Sequence, residues 1–198
     1  MTDRETIDVY QREAQNYARR FSKKGIDADQ QAFLDMLPKA ARVLDLGCGP
    51  GRSAGVFAKA GHSVLAVDAT PAMVALAQTQ DGVDAQEATF DDIPDLGQFD
   101  AIWANFSLLH AEPADLPRHI ADCAAALNPG GIFHIGMKTG EGMQRDTIGR
   151  RYTYVSRDQL SALLASNGLQ IERENTGADP GLDGTTSSWI VLQARKSG

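Results

Sequence analysis

The sequence predicts a doubly wound α/β fold, a mostly parallel sheet covered by helices on both faces and preceded by a helical cap. Three observations predict it. From Ala41 onward, short apolar segments alternate with amphipathic helical ones, the pattern of parallel strands joined by helical crossovers. The run "IFHIGM" at 132–137 is almost continuously apolar, as a central strand buried on both faces should be. The last two apolar segments, "LQIEREN" and "SSWIVLQAR", are joined only by the Gly-, Pro- and Asp-rich stretch 177–184, so the sheet is expected to end in an antiparallel pair.

The elements follow in order. Residues 4–37 read as helical: Val9, Ala14, Tyr17 and Phe21 share one face, Lys-Lys-Gly at 23–25 breaks the helix, and Pro38 ends a second helix at Leu37. "RVLDLG" is the first strand, followed by a helix from Arg52 to Ala60 that Gly61 stops, and then by the strand "HSVLAVD". Thr70 as N-cap and Pro71 at the first helical position start the next helix. "VDAQEAT" and "QFDAIWAN" are strands, and Leu116, Ile120, Cys123, Ala124 and Leu127 mark an amphipathic helix closed by "NPGG" at 128–131. Ser156 and Gln159 form a capping box for a helix carrying Leu160, Leu163 and Leu164 and ending at Gly168. One domain over 1–198 is expected, with a cap at 1–38 and an α/β core at 39–198.

A chain of 198 residues with 42% hydrophobic and 23% charged residues has the composition of a globular domain with a core of its own. The net charge of −7 is spread along the chain, and the basic pairs Arg19-Arg20, Lys23-Lys24 and Arg150-Arg151 form no stripe, which argues against nucleic acid as a partner. Two cysteines suggest a reducing compartment without a disulfide framework, and Cys48 reads as a small residue that fits its loop. No apolar run reaches membrane-spanning length and the N-terminus lacks a signal-like apolar stretch, so the expected location is cytoplasmic, with no membrane partner. Assembly state is not encoded in any pattern found.

The stretch "ARVLDLGCGPGRSAG" at 41–55 carries the function. A phosphate-binding P-loop needs a lysine after its glycines, and none follows. The dinucleotide fingerprint would need glycine at 52, where Arg stands, and Pro50 removes an N–H that could face a pyrophosphate. Asp68, about 20 residues beyond the loop at the end of the second strand, is placed to accept ribose hydroxyls. Asp45 adds an acid inside the first strand that favours a positively charged ligand. Ribose plus cation without a phosphate cradle points to S-adenosylmethionine.

At these residues the chain resembles a known family. "VLDLGCGPG" with "VLAVDATPAMVALA" resembles motifs I and II of the class I S-adenosylmethionine-dependent methyltransferases of the small, methyltransferase-domain-only type, and "FDAIWANFSLLH" and "LNPGGIF" extend the similarity. The resemblance runs from about Tyr10 to the final strand. It implies a Rossmann-like, seven-stranded sheet whose last strand is inserted antiparallel. It also implies a cofactor across the carboxyl ends of the first strands, with Gly47 and Gly49 leaving room for the methionine portion within the loop Gly47, Cys48, Gly49 and Gly51. Asp68 would hold the ribose, with Ala69 and Met73 near the adenine and Asn105 on the fourth-strand segment beside the cofactor. The family's acidic adenine contact is missing: Thr89 stands there, followed by Phe90 and Asp91, so backbone groups, the Phe90 ring or Asp91 would take its place.

For the acceptor, the expected walls are 105–110, the end of the fifth strand and the N-terminal helix. His110, just past the fourth strand, is the candidate to touch the acceptor or act as base, with a loop-fixing hydrogen bond as the alternative. Tyr10 and Tyr17 share a helical face; the resemblance implies a helix that closes over the cofactor, and simple packing against the sheet is the alternative. His134 reads as a core residue, and His62 and His119 as surface positions. The Gly- and charge-rich segment 136–156 reads as a functional loop, with Lys138, Arg150 and Tyr152 able to face an anionic or polar acceptor. No metal-ligand spacing is present. The resulting expectation is in-line methyl transfer to a small-molecule acceptor. A cofactor-binding protein without transfer, or a nicotinamide-dependent oxidoreductase, is the rival reading.

Overall fold

The computed structural model describes residues 3–21 and 25–198; Lys23 and Lys24 of the expected Lys-Lys-Gly break lie outside them. Two cap helices, α1 (Arg4–Arg20) and α2 (Ala28–Met36), precede strand β1 (Arg42–Leu46). Then come α3 (Arg52–Lys59), β2 (Ser63–Asp68), α4 (Pro71–Ala77), β3 (Val83–Glu87), β4 (Phe99–Asn105), α5 (Leu116–Ala126) and β5 (Leu127–Lys138). A short pair, β6 (Met143–Arg145) and β7 (Arg151–Thr153), leads to α6 (Arg157–Ser166) and the long strands β8 (Leu169–Pro180) and β9 (Thr186–Lys196).

Seven strands form one sheet in the order β3-β2-β1-β4-β5-β9-β8, with β9 antiparallel to both neighbours and the other pairings parallel. The direction of winding reverses between β1 and β4, and the crevice at the carboxyl ends of those two strands is where such sheets take ligands. Alternation along the central strands divides the core. Val43, Ala101, Trp103 and Ile132 pack with Phe33 of α2 and Phe57 of α3, whereas Leu44, Ile102, Phe133 and Ile135 pack with Ile120 of α5 and Leu160 of α6.

Local chemistry explains the boundaries. Asp3, Asp27 and Ser156 accept backbone N–H bonds at the starts of α1, α2 and α6, with reciprocal capping boxes at Asp27/Gln30 and Ser156/Gln159. α3 starts at Gly51, which has no side chain to cap it, and the buried carboxylate of Asp45 takes over by accepting from Ala54 N at 3.0 Å.

Three expectations are corrected. The stretch 177–184 is not all loop: Gly177–Pro180 pair with Thr186–Trp189 and only the residues between them turn. Gly177 belongs in the strand because the Trp189 ring occupies the space its Cβ would need. The segment 136–156 is not a structureless loop, since Met143–Arg145 and Arg151–Thr153 form a hairpin that packs beside the cap. His119 is buried against the ring of Phe90 instead of lying at the surface.

Candidate functional site

The loop after β1 brings three glycines into the left-handed region, with φ of 70° at Gly47, 53° at Gly49 and 76° at Gly51. The loop is tied to the next strand: Gly47 N and Cys48 N both donate to Val67 O, at 2.8 and 2.9 Å. Asp68 completes the tie, accepting from Gly49 N at Oδ2 and from Thr70 N at Oδ1, each at 2.9 Å. The glycines do different work. A Cβ on Gly47 would overlap the side chain of Ser107 at the end of β4, and one on Gly51 would come within 2.8 Å of Ala77 in α4. A Cβ on Gly49 would meet only Tyr17 Cε1 at 3.8 Å. The expectation that Gly47 and Gly49 both make room for a ligand is therefore corrected. Gly47 makes room for Ser107, Gly51 for close packing of α3 on α4 away from the cavity walls, and Gly49 alone leaves its space open.

That space belongs to a cavity of about 710 Å³ over the carboxyl ends of β1, β2 and β4, a size in the range of small-molecule sites. Its walls bring together Asp45, Gly47, Cys48, Gly49, Asp68, Ala69, Met73, Thr89, Phe90, Asn105, Tyr17 and His110, every expected site residue except Gly51. Burial pushes the Asp45 carboxyl up to about 7, against the opposing effect of the Ala54 N–H. Cys48 has its thiol pushed up by burial, with Asp45 and Asp68 adding to the shift, so it is a small inert wall and no nucleophile. Asn105 Oδ1 is taken by His134 Nε2 at 3.0 Å, and His134, stacked on Trp103, is the satisfied core residue expected. Asp91 also lines that end, its carboxylate paired with Arg118, beside Thr89, Phe90 and the buried His119.

The opposite end is built from the cap and the β6–β7 hairpin. His110 Nδ1 lies 2.6 Å from the Arg151 carbonyl, which only accepts, so the proton is on Nδ1 and Nε2 accepts from the Tyr10 hydroxyl at 2.9 Å. Arg150 Nη1 donates to the same Tyr10 oxygen at 2.9 Å, and Arg150 in turn is held by Asp146. Burial pushes His110 down to about 3, with Arg150 and Lys138 working in the same direction against the Arg151 carbonyl. Sequence reading missed the partners that fix this end, Asp146 and the Glu112–Arg151 ion pair. It also missed the aromatic pair Phe106 and Trp189, centroids 6.0 Å apart. Phe106 has φ of 56°, a strained value for a bulky residue at the crevice.

The His110 shift has a measurable consequence. Between pH 6.5 and about 3 the unfolded chain binds a proton at this residue that the folded chain refuses, so His110 makes stability fall as pH falls through that interval. In His110→Asn, the pH dependence of unfolding free energy across this window is expected to be shallower by up to about 1.4 kcal/mol per pH unit. Denaturant melts at several pH values check it.

Residues 43–131, from β1 into the start of β5, match the family model described as a methyltransferase domain. These residues carry a methyltransferase domain, and the loop motif, the sheet order and the similarities that follow support a class I S-adenosylmethionine-dependent methyltransferase. This methyltransferase domain is 29% identical over 157 residues to the ubiquinone biosynthesis O-methyltransferase of Xanthomonas axonopodis pv. citri, covering 68% of this chain and 65% of that one. It is 27% identical over 157 residues to the magnesium-protoporphyrin O-methyltransferase of Rhodobacter capsulatus, covering 75% and 70%. The chain thus spans about two thirds of the length of these relatives. Among solved structures it shares its fold with the Burkholderia thailandensis 1,6-didemethyltoxoflavin-N1-methyltransferase bound to its acceptor and S-adenosylhomocysteine, with a TM-score of 0.72, 23% identity and coverage of 98% and 88%.

The methyltransferase domain's cavity passes a physical test of fit for S-adenosylmethionine. The space before Gly49 is open. Asp68 uses one lone pair of each carboxylate oxygen on the backbone, which leaves others for hydroxyl donors. Ser107 Oγ is buried on the cavity wall without a hydrogen-bond partner. Among the described residues, no group of three His, Cys, Asp or Glu side chains is placed to hold a metal, and no helix is long and apolar enough to cross a membrane.

Proposed function

We propose that this domain transfers a methyl group to a small-molecule acceptor held at the Tyr10 end of the same cavity that takes the cofactor. The observation that carries the reading is the continuity of that cavity, one wall bearing Gly49 and Asp68 and the other Tyr10, His110, Lys138 and Tyr152. Two relatives are O-methyltransferases and the structural neighbour is an N1-methyltransferase with a small-molecule acceptor, which supports an acceptor presenting oxygen or nitrogen.

In this reading Asp68 receives the ribose hydroxyls and the Gly49 backbone borders the methionine portion, with Cys48 and Asn105 beside it and Tyr17 above. Ala69, Met73, Thr89 and Phe90 surround the adenine. S-adenosylmethionine supplies a methyl group on a sulfonium, which an acceptor lone pair can take by direct displacement, leaving S-adenosylhomocysteine. The protein's part is alignment in a dry site. His110 is proposed as a positioning residue instead of a free base, because Tyr10 occupies its Nε2 and burial keeps it neutral. Tyr10, whose hydroxyl burial keeps protonated, is the group proposed to meet the acceptor.

Release of S-adenosylhomocysteine across a panel of small phenols, acids and heteroaromatic amines tests the function. Transfer to at least one acceptor is expected, with kcat reduced about 10-fold to 100-fold in Tyr10→Phe at unchanged cofactor affinity. No release with any acceptor from a protein that binds S-adenosylmethionine would favour a non-transferring binder.

A further inference from the structure

The cavity is electrically two-ended. Two carboxylates, Asp45 and Asp68, stand at the cofactor end, while Lys138 and Arg150 stand at the other. The two cations differ. Arg150 is compensated: its Nε lies 2.9 Å and its Nη2 2.8 Å from Asp146 Oδ2, and its Nη1 is spent on Tyr10. The backbone of Lys138, at the end of β5, is paired with its neighbours, but its ammonium makes no hydrogen bond or ion pair with any described residue. Its ammonium sits 3.6 Å above the centroid of the Tyr152 ring. Burial and the neighbouring Arg150 push its pKa down, against Asp183 and Asp146, which act on it from a distance without contacting it.

The remaining charged groups here are committed elsewhere. Asp179 accepts from Trp189 Nε1 at 2.8 Å, Asp183 accepts from Thr185 N at 3.0 Å, and the exposed Arg20 donates to the Leu182 carbonyl at 2.7 Å. Lys138 pairs across the β5–β9 ladder with Trp189, so the two side chains share a sheet face. Trp189 is fixed by Asp179 on its indole N–H and by Gly177 beneath its ring. Trp189 and Phe106, centroids 6.0 Å apart, line the same cavity as Lys138 and the Tyr152 ring beneath its ammonium.

We infer that the acceptor is a planar aromatic carboxylate whose anionic group is received by Lys138 while its ring lies among Tyr152, Phe106 and Trp189. One cation without a carboxylate in contact calls for one negative charge, and a doubly charged phosphate would exceed it. A carboxylate there would also give the ammonium the charge-assisted hydrogen bonds that the protein does not provide.

The inference rests on the methyltransferase reading, and the test separates the two. Full-length protein saturated with S-adenosylhomocysteine is titrated calorimetrically with matched pairs of hydroxylated aromatic acids and their neutral primary amides, such as 4-hydroxybenzoate with 4-hydroxybenzamide. At least one acid is expected to bind about tenfold or more tightly than its amide. That preference should vanish in Lys138→Met, persist in Lys138→Arg, and leave S-adenosylhomocysteine affinity unchanged in both variants. The inference is overturned if no panel member binds, if no acid is preferred to its amide, or if the preference survives in Lys138→Met. Failure to bind S-adenosylhomocysteine at all would instead overturn the reading on which it stands.

Discussion

Asp68→Ala is expected to weaken binding of S-adenosylmethionine by about 1–3 kcal/mol, a loss of roughly 5-fold to 150-fold. The upper part of that range is favoured because Asp68 acts in two ways. It faces the cavity with lone pairs free for a ligand, and it also holds Gly49 N and Thr70 N at 2.9 Å, coupling the loop after β1 to the start of α4. The substitution removes the ligand contact and releases the loop that shapes the rest of the site. Asp68→Asn should recover little despite its shape, because one end of the amide would present N–H to a backbone N–H that needs an acceptor. Calorimetry on both variants, with thermal melts to establish folding, checks this. Unchanged affinity in a folded Asp68→Ala protein would remove Asp68 from the site.

The second large effect is a contrast between two neighbouring glycines. Gly49→Ala places a methyl group in open cavity, 3.8 Å from its nearest protein neighbour. The fold should survive with only the modest cost of a non-glycine residue at φ of 53°, roughly 1–2 kcal/mol. Cofactor binding should fall at least about 100-fold, since the methyl group occupies the volume the ligand needs and the loop that carries it is tethered on both sides. Gly47→Ala has the opposite signature. Its methyl group overlaps Ser107 at the end of β4, so stability should drop by about 1–3 kcal/mol, and binding should fall only as a consequence. Parallel melts and titrations on the two proteins separate the cases. Normal cofactor affinity in Gly49→Ala would refute the assignment of this loop.

Much of the architecture was legible because local signals agreed with one another. Pro71 at the first helical position, the Ser156/Gln159 box and the almost continuously apolar run 132–137 each fix an element by chemistry confined to a few residues. The meeting of the loop glycines with Asp68 was legible for the same reason: they lie at the ends of consecutive strands, which parallel pairing brings side by side. What escaped reading depends on distant partners. Gly47 and Gly51 look alike in sequence, and only the positions of Ser107 and Ala77 show that neither clears space for a ligand. His119 falls in a polar stretch of α5, yet α5 packs against the short 3₁₀ turn Phe90–Asp95 and buries the ring on Phe90. His110 has the position of a base, but Tyr10, one hundred residues away, occupies the nitrogen it would use. Lys138 gave no signal apart from its place in a charged segment, since being unpaired is a property of the whole cavity.

The most direct test of the account is isothermal titration of the purified protein with S-adenosylmethionine, S-adenosylhomocysteine and NAD in parallel. Micromolar binding of the first two with none of NAD is the predicted result. Binding of NAD alone, or of none of the three by a folded protein, would contradict the assignment of Gly49 and Asp68 to a nucleoside-sulfonium site.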